Sequence, residues 1–346
     1  MSVDLTNPSF GAFLQALKQR VLSGGEISFE EALRLASIDD VKTLDSLLAV
    51  AHELTHHFCP SEPDLCALVN AKSYLCGEDC GFCSQSSHFK TNATRYPLMS
   101  ADEIVNCAKK AEACGVQSFC IVTSGETLSD KEFAQVRETF KRLSDETDLN
   151  LDGSLGSLTD EQAFELRRVG LRRFNHNLQC SREFYPKIVS THTYEQRKKT
   201  LGFLKSHDIE ICSGGIFGMG ETREDRLKLA FELKEYNPRC VPINILNPRP
   251  GTPLADQKPV DPFEILKMIA IYRFIHPRAN IKLAGGRELN LGIYFQGKAM
   301  RGGINGLVVG GYLTTAGNPI AEDLGMLKCA GYNIETMKKP ASLKAA

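Results

Sequence analysis

The chain has 346 residues, 24% charged and 42% hydrophobic, with 28 Gly and 15 Pro, which excludes disordered and collagen-like classes. Lys and Arg total 41 against 42 Asp and Glu, a net charge of -1, so there is no electrostatic footprint for nucleic acid or an anionic membrane, and a small-molecule substrate is expected. Residues from Met1 to Gln19 lack a secretion signal and no apolar stretch reaches a membrane-spanning length, so a soluble, cytoplasmic protein is expected. Twelve cysteines in such a chain point to reduced thiols with metal or redox roles.

From Asn7 to about His57 the apolar spacing predicts helices, with Ser28-Phe-Glu-Glu31 as a capping box. From Leu65 onward, eight short apolar runs alternate with amphipathic stretches: Leu65–Ala71, Ser118–Thr123, Leu149–Leu155, Arg173–Leu178, Glu210–Gly214, Val241–Leu246, Asn280–Ala284 and Gly306–Val309. Helix-like segments such as Ser100–Cys114, Thr159–Val169, Tyr194–Ser206, Asp225–Tyr236 and Pro262–Ile275 lie between them. Eight strand–helix units predict an (α/β)8 TIM-type barrel with an N-terminal helical extension. An open doubly wound sheet would need its phosphate fingerprint, and no G-x-G-x-x-G follows an early strand. The expected organisation is an extension over 1–60, the barrel over 61–335 and a tail over 336–346.

Cys76-Gly-Glu-Asp-Cys80-Gly-Phe-Cys83 follows the first predicted strand, on the face where such barrels place their chemistry. Three thiolates on a short loop suit an iron–sulfur cluster, and three ligands on a four-iron cubane leave one iron open for substrate or cofactor. A rival signal, His52-Glu-Leu-Thr-His56, matches H-E-x-x-H, in which His52 and His56 bind zinc and Glu53 acts as general base. It precedes the barrel and lacks a recognisable third ligand. It nevertheless supplies the alternative of another class, a zinc hydrolase.

The cysteine spacing resembles that of the radical S-adenosylmethionine (SAM) superfamily. Further blocks narrow the resemblance to biotin synthases: Tyr74–Lys90, Asn175-His-Asn-Leu178, Thr193-Tyr-x-x-Arg197, Cys212-Ser-Gly-Gly-Ile216, Gly251-Thr-Pro-Leu-Ala-Asp256 and Leu313-Thr-Thr315. The resemblance implies insertion of sulfur from an auxiliary iron–sulfur cluster into dethiobiotin. It also implies that a 4Fe-4S cluster on Cys76, Cys80 and Cys83 binds S-adenosylmethionine through its open iron, and that one-electron cleavage yields a 5′-deoxyadenosyl radical. Arg197 would pair with the cofactor carboxylate, while Asn177 and Gln179 would face its ribose, the family more often having Asp at the latter position. Asn175 and Asn244 would meet the ureido ring, and Thr314 and Thr315 the valeryl carboxylate. Implied partners are dethiobiotin and a low-potential flavodoxin or ferredoxin, with no nucleic acid or membrane partner, and a homodimer is compatible. A biotin-synthase-like enzyme on another small substrate is the nearest alternative.

One departure stands out. In the better-known members, three Cys and an Arg hold a 2Fe-2S cluster inside the barrel. Here Cys120 and Cys212 match two of the Cys positions, but Asp152 replaces the third and Lys282 the Arg. A protonated lysine has no lone pair to offer and carboxylate is a harder ligand than thiolate. Two extra cysteines, Cys66 and Cys240, are expected to point inward, in phase with Asn70 and Asn244. The pattern resembles a variant group with a four-iron auxiliary cluster carrying an added sulfide, held among Cys66, Cys120, Cys212 and Cys240. Asp152 and Lys282 are then expected to form a charge pair or hydrogen-bonding wall beside it, since buried charges are costly unless paired. Cys59, Cys107, Cys114, Cys180 and Cys329 are expected to be inert.

Overall fold

The computed structural model describes residues 8–74, 76–314 and 317–334. Nine parallel strand segments form one sheet: β1 (Asp64–Lys72), β2 (Ser118–Thr123), β3 (Asn150–Ser154), β4 (Arg173–Asn175), β5 (Glu210–Cys212), β6 (Gly215–Phe217), β7 (Cys240–Ile245), β8 (Asn280–Leu283) and β9 (Gly306–Val309). β1 pairs with β9 and β5 with β7, which closes the barrel. β5 and β6 both pair with β7 and make one stave broken at Ser213-Gly214, so nine segments give eight staves. The break has a steric cause. A side chain at Gly214 would meet the carbonyl oxygen of Pro242 at 2.0 Å, and one at Gly215 that of Gln179 at 2.4 Å.

The outer helices include α4 (Ala101–Ala113), α5 (Asp130–Glu146), α6 (Asp160–Arg168), α7 (Tyr194–Ser206) and α8 (Arg223–Leu233). All five begin with capping boxes, at Ser100, Ser129, Thr159, Thr193 and Thr222. Each cap satisfies orphan amides and contributes about 1 kcal/mol, fixing where the chain leaves a loop and turns down the outside. α9 (Pro262–Ile275) has no polar face, being buried from Ile265 through Ile275. The expected N-terminal helices explain this: α1 (Pro8–Leu22), α2 (Phe29–Ala36) and α3 (Val41–Phe58) share one hydrophobic core with the barrel, α3 and α2 packing on α9. Ser28 and Glu31 form the anticipated capping box on α2. The chain continues through α10 (Arg287–Met300) and α11 (Ile320–Cys329). The tail expected over 336–346 lies outside the described residues.

Candidate active site

The C-terminal ends of the staves surround a cavity of about 330 Å³ reaching from the cysteine loop down to the barrel base. Above it, the segment after β4 clamps the cysteine loop. Gly81 donates its N–H to the Ile188 carbonyl at 2.8 Å, Ser190 N–H reaches Asp79 Oδ1 at 2.9 Å, and His192 Nδ1 meets Glu78 Oε2 at 2.6 Å. Cys76, Cys80 and Cys83 carry free thiols, half-buried on this loop. Burial pushes all three up, Cys83 to about 11, and the nearby Cys83 adds to the rise at Cys80. Such thiols stay protonated at neutral pH until a metal displaces the proton.

Arg197, at the start of α7, lines the cavity and donates Nε–H to the Asn177 carbonyl at 2.5 Å. Among the described residues it has no carboxylate partner, so the rest of its guanidinium fork is available to an anion. Asn177 Oδ1 accepts from Gly214 N–H at 3.0 Å. Gln179 holds a φ of 75°, and its buried Oε1 has no hydrogen-bond partner. Asn175 Nδ2 donates toward Cys212 Sγ at 3.4 Å. Asn244 spans two neighbours, giving Nδ2–H to Gly215 O at 3.2 Å and accepting Gly285 N–H at 3.0 Å. Thr314 lines the cavity beside Ser84, its hydroxyl 3.3 Å away, whereas Thr315 lies outside the described residues.

The four inner-strand cysteines are buried at the barrel base. Register sets Cys212 against Cys240 and Cys120 against Asp152, while Cys66 Sγ donates toward Asp152 Oδ2 at 3.7 Å. Burial pushes Cys66 up to about 12 and Cys120 well above its ordinary value. Burial also opposes a thiolate at Cys240, yet the hydrogen bond from Cys212 and the Lys282 and Arg173 charges bring it below the ordinary thiol range; Cys212, the donor of that pair, is held up.

The expected pairing of Asp152 with Lys282 does not form. Asp152 Oδ2 instead takes Arg173 Nε–H at 2.9 Å and Nη2–H at 2.6 Å, while Lys282 Nζ lies 3.0 Å from Asp64 Oδ1. Arg173 also reaches Asp64 at 2.8 Å and Ser118 at 3.2 Å. Neighbouring staves decide this: Asp152 stands opposite Arg173, whereas Lys282 and Asp64 both flank Gly306. Arg173 and Asp64 were absent from the sequence-derived site. Strand alternation held the signal, since each lies two residues from a named inward residue, Asn175 and Cys66.

The H-E-x-x-H residues form no metal centre. Glu53 is ion-paired with Lys18, and the rings of His52 and His56 pack edge to face at 4.3 Å. Among the described residues, no third metal-ligating side chain joins them. Of the remaining cysteines, Cys180 is buried, Cys59 and Cys107 half-buried, and Cys114 and Cys329 exposed.

An eight-stave parallel barrel with three cysteines on the loop after its first strand defines a radical SAM enzyme, and residues 72–233 match the Radical SAM superfamily model. Residues 242–333 match the Biotin and Thiamin Synthesis associated domain. Biotin synthase of Clostridium tetani is 42% identical, the match covering 92% of this chain and 98% of that one. Biotin synthase of Acetivibrio thermocellus is 43% identical, with 93% and 99% covered. The chain belongs to the biotin synthase family. The fold is shared more widely: methylornithine synthase superposes with a TM-score of 0.80 at 18% identity, covering 92% of this chain and 96% of that one. The hydrogenase maturase HydG of Carboxydothermus hydrogenoformans gives 0.77 at 17% identity, with 97% and 83% covered. No described helix is long and apolar enough to cross a membrane.

Proposed function

We propose that this chain converts dethiobiotin to biotin, inserting a sulfur held at the barrel base under a radical generated at the cysteine loop. The observation that carries this reading is a single cavity lined both by Cys83 and Arg197 at its mouth and by Cys66, Cys120 and Cys212 at its floor. The residues fit the implied groups. Three unpaired thiols share one loop, the cavity-lining Gln179 leaves a buried oxygen without a partner, and Arg197 has guanidinium donors to spare. Cys76, Cys80 and Cys83 would hold a 4Fe-4S cluster, with Arg197, Asn177 and Gln179 holding S-adenosylmethionine. When bound, these groups supply a 5′-deoxyadenosyl radical able to take hydrogen from an unactivated C–H bond.

The chain's own side chains orient the substrate. Asn175 and Asn244 offer amide groups to the ureido ring, and Thr314, with Thr315, offers hydroxyls to the valeryl carboxylate. For the auxiliary site, Cys66, Cys120, Cys212 and Cys240 are the donor set, and by similarity to the variant group the cluster they hold is of the four-iron type. All four are buried thiols, and sulfur is a softer donor for iron–sulfur ligation than a carboxylate such as Asp152, one oxygen of which is already held by Arg173. A low-potential flavodoxin or ferredoxin as donor, a homodimeric assembly and a cytoplasmic setting complete the reading, all by similarity to the family.

Anaerobic incubation with dethiobiotin, S-adenosylmethionine and reductant should yield biotin and 5′-deoxyadenosine, and replacing Cys76, Cys80 and Cys83 together by Ala should abolish both. Normal cofactor cleavage by that variant refutes the reading. Mössbauer spectra of the same variant isolate the auxiliary site. A 2Fe-2S spectrum, or a cluster unchanged by Cys66→Ala with Cys240→Ala, refutes the four-iron assignment.

A further inference from the structure

We infer that Arg249 pairs with the carboxylate of the substrate and makes the enzyme selective for an ionised acid over neutral analogues. The inference rests on the dethiobiotin reading above and names the cation of that site.

Among the described residues, four cations, Arg173, Arg197, Arg249 and Lys282, line the cavity against one carboxylate, Asp152. Two of the four are held at the floor, Arg173 by Asp152 and Lys282 by Asp64. Arg197 and Arg249 stand higher, at the start of α7 and on the loop after β7. S-adenosylmethionine carries an ammonium and a sulfonium besides its carboxylate, so it brings no net negative charge. The valeryl carboxylate of dethiobiotin, ionised above about pH 5, does bring one. Taking that charge out of water onto neutral hydroxyls alone is costly, whereas a guanidinium meets a carboxylate with two parallel N–H bonds.

The fold brings Arg249 to the wall that carries Thr314, through three contacts in series. Gly251, with φ 88°, sits so close to the chain following the cysteine loop that a side chain there would meet the Lys90 carbonyl oxygen at 2.1 Å. The next residue, Thr91, gives Oγ1–H to the Ser84 carbonyl at 2.5 Å, and Ser84 Oγ lies 3.3 Å from Thr314 Oγ1. Ser84, Arg249 and Thr314 all face the same cavity.

The loop is also stiff. Pro248 and Pro250 flank Arg249, each fixing its own φ and pushing the residue before it to extended backbone. Thr252 donates its N–H at 3.1 Å and its Oγ1–H at 2.8 Å to the Arg249 carbonyl. The main chain of Arg249 is therefore set before a ligand arrives, and binding loses little backbone entropy there. The residue is half-buried, so a pair formed with it is less screened than one on the open surface. A neutral end group would remove the guanidinium from water without returning a charge, which is the basis for discrimination.

The test is anaerobic calorimetry on the iron-replete holoenzyme with S-adenosylmethionine bound, titrated with dethiobiotin and with its analogue bearing a primary alcohol in place of the carboxylate. Wild type should bind the acid roughly 10- to 100-fold tighter than the alcohol, the range for one charge-assisted fork. Arg249→Leu should lose that factor for the acid, change less than threefold for the alcohol, and keep its affinity for S-adenosylmethionine within threefold. Arg249→Lys should recover part of the preference. If Arg249→Leu loads iron poorly, Arg249→Gln, which keeps a polar side chain without the charge, takes its place. An undiminished preference for the acid in an iron-replete variant overturns the proposal, as does equal weakening of acid and alcohol. Loss of the fold in both variants also overturns it, by making Arg249 a scaffold residue. Failure of the sulfur-insertion reading looks different: wild-type enzyme would prefer the acid as described and form no biotin.

Discussion

Asn244 gives the sharpest separation between building the site and using it. Its side-chain amide offers two N–H donors and a carbonyl oxygen with two lone pairs. One donor goes to Gly215 O at 3.2 Å and one lone pair accepts Gly285 N–H at 3.0 Å, which ties β6 to the loop after β8. One donor and one lone pair remain, matching the carbonyl and N–H of a ureido group. Asn244→Ala therefore removes two kinds of contact. The residue is 5% exposed, so two buried backbone groups are stranded at about 1–3 kcal/mol each, and a stability loss of about 4 kcal/mol is expected. Loss of the two ligand bonds should weaken dethiobiotin by about 2–3 kcal/mol, roughly 30- to 150-fold, with S-adenosylmethionine nearly unaffected. Urea denaturation reads the first quantity and anaerobic calorimetry with each ligand the second. Asn244→Asp keeps the acceptor for Gly285 but loses both donors, and should fall between wild type and Ala in both assays. Equal weakening of the two ligands, or a stability loss below about 1 kcal/mol, refutes this reasoning.

Arg197→Met should weaken S-adenosylmethionine by roughly 10- to 100-fold through loss of a charge-assisted fork, with dethiobiotin binding changed less than threefold in the same calorimeter. Arg173→Met strands the buried Asp152 carboxylate, while Asp64 keeps Lys282 and Asn280, and should cost about 3–5 kcal/mol by urea denaturation. Asp152→Asn added to it should recover part of that loss. His276 is buried, donating Nε2–H to the Ala230 carbonyl at 2.8 Å, and burial lowers it to about 4. The folded state thus prefers the neutral ring. Its contribution is complete above the unfolded value of about 6.5 and is lost as pH falls from there toward 4, by about 3 kcal/mol. His276→Gln should flatten that part of the stability–pH curve, and an unchanged slope would count against the assignment.

The barrel was legible because strand and helix alternate with different hydrophobic periods. Ser118–Thr123 and Gly306–Val309 have the same limits in sequence and structure. The run Arg173–Leu178 was read too long, since pairing ends at Asn175 and the chain turns through Asn177, whose side chain bonds Gly214. β6 was missed because the Ser213-Gly214 break that splits the stave carries no apolar signal of its own. Local sequence placed the thiol-bearing strands, but of its two options for Asp152 and Lys282, a charge pair or a hydrogen-bonding wall, the direct pair rested on charge alone and does not form. Partner choice depends on which staves are adjacent and on a missing side chain at Gly306, which would meet Lys282 Cγ at 2.7 Å, a fact of register and close packing that charge and spacing do not carry. The match of His52, Glu53 and His56 to a zinc pattern shows the converse. The spacing is present on α3, but Glu53 is engaged by Lys18 of α1.

The inserted sulfur comes from the enzyme's own auxiliary site and not from the buffer. Enzyme reconstituted with 34S-labelled sulfide, gel-filtered to remove free sulfide and given dethiobiotin, S-adenosylmethionine and reductant in sulfide-free buffer should make up to one turnover of biotin, with the label in its ring sulfur by mass spectrometry. Failure to form biotin until sulfide is added to the buffer, or formation of unlabelled biotin, would contradict it.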